Sequence, residues 1–151
     1  MENYIHFIIL TPSKKLLDEK DVTEVYFPAE YGAVGILPGH APMVTTVGTG
    51  SVLYTHKNVS GFFKVTGGVA EVTGTTLTLL VDTAEEASNI DVDRAKRSLE
   101  RAEGRLAAKE LGNIDVKRAE ASKSRAIARI QTAELYQTLS TRQKSKDQDA
   151  D

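Results

Sequence analysis

At Asn89 the chain changes its residue vocabulary, and this switch constrains the fold more than any other feature of its 151 residues. Before it, short β-branched and aromatic runs are separated by turn residues; after it, alanine, arginine, lysine and glutamate recur with helical periodicity. All 4 prolines lie before residue 43, outside the helical region. Strands first and helices second read as an α+β chain with two segregated parts.

The first part, residues 1–88, contains Ile5-His6-Phe7-Ile8-Ile9-Leu10, Val22-Thr23-Glu24-Val25-Tyr26-Phe27, Ser51-Val52-Leu53-Tyr54, Phe62-Phe63-Lys64-Val65, Val69-Ala70-Glu71-Val72 and Leu77-Thr78-Leu79-Leu80-Val81. Runs of this kind, spaced roughly 8–12 residues apart, predict a compact antiparallel β-sandwich or barrel. Gly67-Gly68 and Thr73-Gly74-Thr75 supply the backbone freedom of hairpin turns. The segment Gly32-Ala33-Val34-Gly35-Ile36-Leu37-Pro38-Gly39-His40-Ala41-Pro42 reads as a shaped turn, either a tight crossing between sheets or a docking edge.

The second part, residues 89–139, places Val92, Ala95, Leu99, Ala102 and Leu106 on one stripe of a helix behind an Asp91 cap. Leu111-Gly112-Asn113 offers a glycine C-cap and a turn. Asp115 then caps a second helix with its stripe at Val116, Ala119, Ala126, Ile130 and Ala133, so the two form an antiparallel hairpin. The start Asn89-Ile90-Asp91-Val92-Asp93-Arg94-Ala95 is echoed at Asn113-Ile114-Asp115-Val116-Lys117-Arg118-Ala119, which reads first as a reused helix entry with an apolar residue before a carboxylate cap and second as a duplication with a shared function. Alanine lets backbones approach closely but buries far less area than a leucine or phenylalanine worth about 1.5–3 kcal/mol. Such a hairpin is weakly committed to its folded-down form, which is either without consequence or makes it a switch that a ligand or partner can bias. Residues 140–151 are polar and aperiodic, and predict a frayed tail.

Charge divides at the same point. Through Asn89 there are five lysines, no arginine and ten acids; from Ile90 onward fourteen basic residues face eleven acids, so a total of -2 conceals an acidic body and a basic arm. The absence of cysteine excludes disulfides, thiolate metal sites and thiol catalysis. No apolar stretch approaches the ~20 residues of a membrane span, and Met1-Glu2-Asn3-Tyr4 lacks the basic start of a signal peptide, so direct membrane insertion is not expected.

His6, His40 and His56 have no metal-ligand spacing, and neither a nucleophile elbow nor a phosphate loop occurs, so no catalytic or metal site is predicted. Arg125 and Arg129 stand four apart on one face of the second helix, with Arg118 two turns earlier. They suit either a solvated basic face or an anion site for phosphates or an acidic protein surface. Nucleic acid fits poorly, because the helix lacks interleaved aromatic residues and the β region is acidic.

Thr11-Pro12, the Gly32–Pro42 segment, Gly67-Gly68 before Val69-Ala70-Glu71-Val72, and Asp82-Thr83-Ala84-Glu85 leading to Ile90-Asp91 and Arg94-Ala95 occur in order. Together they resemble the epsilon subunit of bacterial and chloroplast F-type ATP synthases, over about residues 4 to 139. The resemblance implies a sandwich of about ten strands followed by a helical hairpin, in a non-catalytic central-stalk subunit. Its partners would be the gamma subunit, the membrane rotor ring of c subunits and the catalytic alpha and beta subunits. The protein would lie peripherally on the cytoplasmic face of a bacterial plasma membrane or the stromal face of a thylakoid, coupling proton flow to rotation.

The resemblance also assigns roles. Gly32, Ala33, Val34, Gly35, Ile36, Leu37, Pro38, Gly39 and His40 would form the rotor-docking segment, in which an acidic residue is frequent at the position held here by Ala33. An extended hairpin would inhibit ATP hydrolysis through Lys117, Arg118, Lys123, Arg125 and Arg129. No cofactor is required, but Ile90-Asp91-Val92-Asp93-Arg94-Ala95 fits the family's ATP-binding pattern. By that pattern Glu85, Ile90, Asp91, Arg94 and Ala95, with Arg125 and Arg129, would hold ATP as a regulatory ligand. Arg94, Arg125 and Arg129 would meet phosphates, while Glu85 and Asp91 address base or sugar. The alternative is a free-standing nucleotide-sensing β module with a helical lid.

Overall fold

A computed structural model describes residues 3–109, 112 and 114–149. Seven strands come first: β1 (Ile5–Leu10), β2 (Lys15–Ala29), β3 (Gly32–Ile36), β4 (Met43–Val47), β5 (Gly50–His56), β6 (Val59–Thr73) and β7 (Thr76–Glu86). They hydrogen-bond in the order β1-β7-β6-β5-β2-β3, β4 joins β6, and β1 also pairs with β2, so the sheet closes on itself. All pairings are antiparallel except β1 with β7, which is parallel.

Two 15-residue strands account for finding seven strands where about ten were expected. Each changes partner along its length and so serves both layers. β2 pairs with β1 through Lys15–Val22 and with β3 through Val25–Ala29, while β6 pairs with β5 through Val59–Val65 and with β4 through Gly68–Val72. Gly67-Gly68 is therefore a corner within β6, not the expected hairpin. Gly68 has φ +145, and a Cβ there would lie 2.0 Å from the Leu80 carbonyl oxygen, so only glycine fits the close backbone approach. The expected turn at Gly74 is present: Thr73 pairs with Thr76, and Gly74 has φ 58. The Gly32–Pro42 segment begins as strand β3 and not as a turn, because pairing with β2 overrides the weak strand preference of its glycines and alanine.

Strict alternation points Ile5, Phe7 and Ile9 of β1 inward. They meet Val22, Val25, Phe27, Val52, Phe63, Val65, Leu77 and Leu79 in one continuous core. Tyr54 packs edge-on to Phe7, with ring centroids 5.4 Å apart. Burial, and then the charges of Glu86 and Glu19, raise its phenol to about 12.

A single 3-10 turn at Ala87–Asn89 leads to α1 (Val92–Ala107) and α2 (Val116–Asp149). Asp91 Oδ1 accepts the Arg94 amide at 3.0 Å and Asp115 Oδ1 accepts the Arg118 amide at 3.1 Å, so the sequence echo is a repeated N-cap. Helix α1 ends on Ala108 and not on the glycine; Gly112, with φ 88, bends the chain four residues later. Leu111 and Asn113 of the expected turn lie outside the described residues. Residues 140–149 continue α2 in place of the expected frayed tail. They contain neither glycine nor proline, and helix formers such as Arg142, Lys144 and Lys146 extend the existing helix without a new nucleation step.

The hairpin lies against the sandwich, α2 on β5 and β6 and α1 on α2. Ala95 and Ala102 of α1 and Ala119, Ala126 and Ala133 of α2 are buried, as the stripes predicted. Val116 is the exception, at 37% exposure. Ala128 and Thr132 are buried too, which gives α2 a second face.

Candidate functional site at the seam between helix and sandwich

That second face is read by a row of side chains across three strands. Ser51 on β5 is the cross-strand partner of Lys64 on β6, and Lys64 is the partner of Glu85 on β7. Cross-strand partners share a face, so all three point toward α2. Thr132 shares a 2.6 Å hydrogen bond with the Ser51 hydroxyl, and Arg129 Nε donates to Glu85 Oε2 at 3.0 Å. Two positions before Lys64 on the same face, Phe62 meets Tyr136 edge to face at 6.1 Å. Thr132 is fully buried and also donates to the Ala128 carbonyl at 2.7 Å.

Lys64 sits in the middle of this row at 2% exposure. Burial lowers its pKa, Arg129 and Arg125 push in the same direction, and Glu85 alone opposes them. The sequence showed Lys64 only as the polar member of Phe62-Phe63-Lys64-Val65, where alternation suggests an exposed side chain. β6 is covered on both faces here: Phe63 and Val65 enter the sandwich core, whereas Phe62 and Lys64 lie under α2.

The anticipated anion-site residues are only partly assembled. Glu85 and Arg129 are paired, and Arg125 Nη2 donates to the Ser122 hydroxyl at 3.2 Å. Asp91 is engaged as the α1 cap, Ile90 is half-buried and Ala95 is buried in the hairpin. Arg94 is exposed, and among the described residues no ion pair joins it to Glu85. Of the five α2 cations expected to form the inhibitory face, Lys117 and Arg118 face solvent, while Lys123, Arg125 and Arg129 are half-buried. Lys123 lines a groove of about 350 Å³ with Leu106, Ile127 and Thr49. Among the described residues, no cluster of three His, Asp or Glu side chains has the arrangement of a metal site.

The anticipated docking segment begins at the sheet edge, where β3 pairs with β2 alone. Ile36 is buried and anchors it; Gly32, Ala33, Gly35, Leu37 and Gly39 are exposed, and Val34, Pro38 and His40 are half-buried. A Cβ on Gly35 would come 2.8 Å from the Tyr26 ring. His40 turns back on itself, its Nδ1 2.7 Å from the Ala41 carbonyl. Two exposed apolar features escaped the sequence reading. Tyr31, at the β2–β3 hairpin tip, is 95% exposed; Val44, Val69 and Leu80, on neighbouring strands β4, β6 and β7, are 71%, 40% and 46% exposed.

Comparison with known proteins assigns both halves. The family described as "ATP synthase, Delta/Epsilon chain, beta-sandwich domain" matches residues 4–87, and "ATP synthase, Delta/Epsilon chain, long alpha-helix domain" matches residues 88–134. This chain belongs to the ATP synthase delta/epsilon family. The ATP synthase epsilon chain of Nitratidesulfovibrio vulgaris (strain DP4) is 40% identical over 107 residues, covering 71% of this chain and 79% of the relative. That of Geobacter sp. (strain M21) is 43% identical over 100 residues, 66% of this chain and 72% of the relative. In fold, the chain is similar to one in the Euglena gracilis mitochondrial ATP synthase structure of OSCP, F1 and c-ring. The TM-score is 0.66 at 18% identity, covering 92% of this chain and 82% of the other. A chain from the Tetrahymena thermophila central stalk and c-ring gives a TM-score of 0.58 at 20% identity, covering 85% and 96% respectively.

The family accounts for a β body and a helical arm in one chain. It makes this an epsilon-type subunit of an F-type ATP synthase. No helix among the described residues is long and apolar enough to cross a membrane.

Proposed function

We propose that the chain works as a non-catalytic central-stalk subunit, with the sandwich binding the gamma subunit and the rotor ring and the hairpin regulating ATP hydrolysis. The observation that carries this reading is the division of labour in the fold. A tightly packed β body exposes an apolar strip at Val44, Val69 and Leu80, and carries a helical arm held by a polar seam. An apolar strip favours burial against a partner, and a helix whose buried residues are alanines and one threonine favours release. In this reading the subunit is peripheral, on the side of the membrane where the catalytic head lies.

Inhibition would need the hairpin to leave the sandwich, because release alone frees Arg125 and Arg129 to join Lys117, Arg118 and Lys123 against acidic segments of the catalytic subunits. ATP would act in the opposite sense. Bound by Arg94, Arg125 and Arg129 with Glu85 and Asp91, it would stabilise the docked form by about 2.7 kcal/mol at a hundredfold excess over Kd.

Reconstitution tests these assignments. Added to a catalytic head lacking its epsilon subunit, the chain should co-elute with the gamma subunit and lower ATPase activity, and Arg125→Glu with Arg129→Glu should restore that activity. A chain that elutes alone sinks the stalk reading; full inhibition by the double variant sinks the assigned basic face. Calorimetry with MgATP should show binding by the native chain and weakened binding by Arg94→Ala, and no heat from the native chain removes ATP from the scheme.

A further inference from the structure

Lys64 belongs to none of these roles. It is a buried cation on β6 under α2, and the groups that face it are Arg125 and Arg129 from α2, Glu85 from β7, and the neutral Ser51–Thr132 pair. Among the described residues Lys64 makes no ion pair, while Glu85 Oε2 is engaged by Arg129. Docking α2 therefore covers all but 2% of this lysine, and the charges of Arg129 and Arg125 then oppose its protonated form while Glu85 alone favours it. Packing favours the docked hairpin while this charge arrangement opposes it.

We propose that Lys64 is a charge release built into the docking seam: in its protonated form it holds the hairpin close to undocking, and its neutralisation locks α2 onto β5 and β6. The direction follows from linkage. In the undocked chain Lys64 is in water with an ordinary lysine pKa; in the docked chain its pKa is lowered. The undocked state binds more protons in the interval between these values, so docking becomes more favourable as pH rises through it. Below that interval the opposition is present in full. Glu85 is the counterweight, because its charge acts on Lys64 and Arg129 together. Replacing a buried charge of this kind with an apolar side chain of similar volume is stabilising when its partners are incomplete.

The proposal rests on the reading that the hairpin leaves the sandwich, is independent of nucleotide, and is tested on this chain alone. The sequence has no cysteine, so Thr83→Cys on β7 and Gln131→Cys on α2, both exposed positions, give two unique sites for spin labels. Pulsed dipolar distances then report the ratio of docked to undocked chains. A mild urea series keeps both states populated. Lys64→Met should raise the ratio about tenfold or more at pH 7. It should also abolish the rise of the native protein's ratio with pH. Lys64→Arg, which keeps the charge but does not titrate in this range, should leave the hairpin weakly docked and insensitive to pH. Glu85→Gln should lower the ratio. An unchanged or lower ratio in Lys64→Met, or Lys64→Arg retaining the native pH dependence, overturns the proposal.

Discussion

The two halves of this chain bury very different side chains. In the sandwich, Phe7, Phe27, Ile9, Ile36, Leu77 and Leu79 are at most 1% exposed. In the hairpin the residues buried to a similar degree are alanines and one threonine, among them Ala95, Ala102, Ala126 and Thr132. Each fully buried large side chain is worth about 1.5–3 kcal/mol, and alanine much less, so apolar burial fixes the sandwich while the hairpin depends on close backbone approach and a few polar contacts. The fold thus separates a part held by large buried side chains from a part held by small ones.

Four substitutions test this contrast, in falling order of effect. Phe27→Ala should destabilise the whole chain by about 3–5 kcal/mol in urea denaturation, since it empties the centre of the sandwich. Gly68→Ala should cost about 1–3 kcal/mol, because its Cβ meets backbone at Leu80 that cannot rotate away. Both should act on strand and helix signals alike, since the hairpin has nothing to dock on once the sandwich opens.

Thr132→Val is the discriminating change. It removes the bond to Ser51, worth about 1 kcal/mol, and that effect should be confined to docking, since the bond to the Ala128 carbonyl lies within α2 and is lost from docked and undocked chains alike. In native-state hydrogen exchange, amides of the Ser51 and Lys64 strand segments should become less protected where α2 covers them, with protection at Phe7 and Phe27 unchanged. Equal loss at both places would show one cooperative unit and remove the distinction between rigid body and adjustable arm.

The smallest effect belongs to the acid side of the sandwich. Hydrogen bonds from Lys15 and then His6 hold Asp18 down to about 2, and so tie β1 to β2. A carboxyl depressed in the folded chain adds stability above its unfolded value of 3.8, and this is lost as pH falls from there toward about 2. Asp18→Asn should flatten that part of the acid unfolding curve slightly, because the group is at the surface and solvent screens it. A hairpin-specific change instead would misplace the clamp.

Much of this organisation was legible in residue order. The alternation of Ile5, Phe7 and Ile9, the stripes through Ala95 and Ala126, and the two aspartate caps are encoded within a few residues of one another, where period and capping chemistry act. The motif series from Thr11 to Ala95 also pointed to the family. Strand continuity was harder to see: Gly67-Gly68 has the composition of a turn, and only pairing with both β4 and β7 keeps β6 running through it.

By itself, then, the sequence determined a β body, a helical hairpin, the division at Asn89 and the segregation of arginine into the arm. Tertiary structure alone decided that the sheet closes through β1, that α2 has a second buried face, and that Lys64 lies beneath it. The reason is separation along the chain. Arg129 finds Glu85 across 44 positions and Thr132 finds Ser51 across 81, and no local pattern states what will lie opposite a side chain at that distance. Lysine in an alternating strand is ordinarily a surface residue; a helix from the far end of the chain makes this one a buried charge.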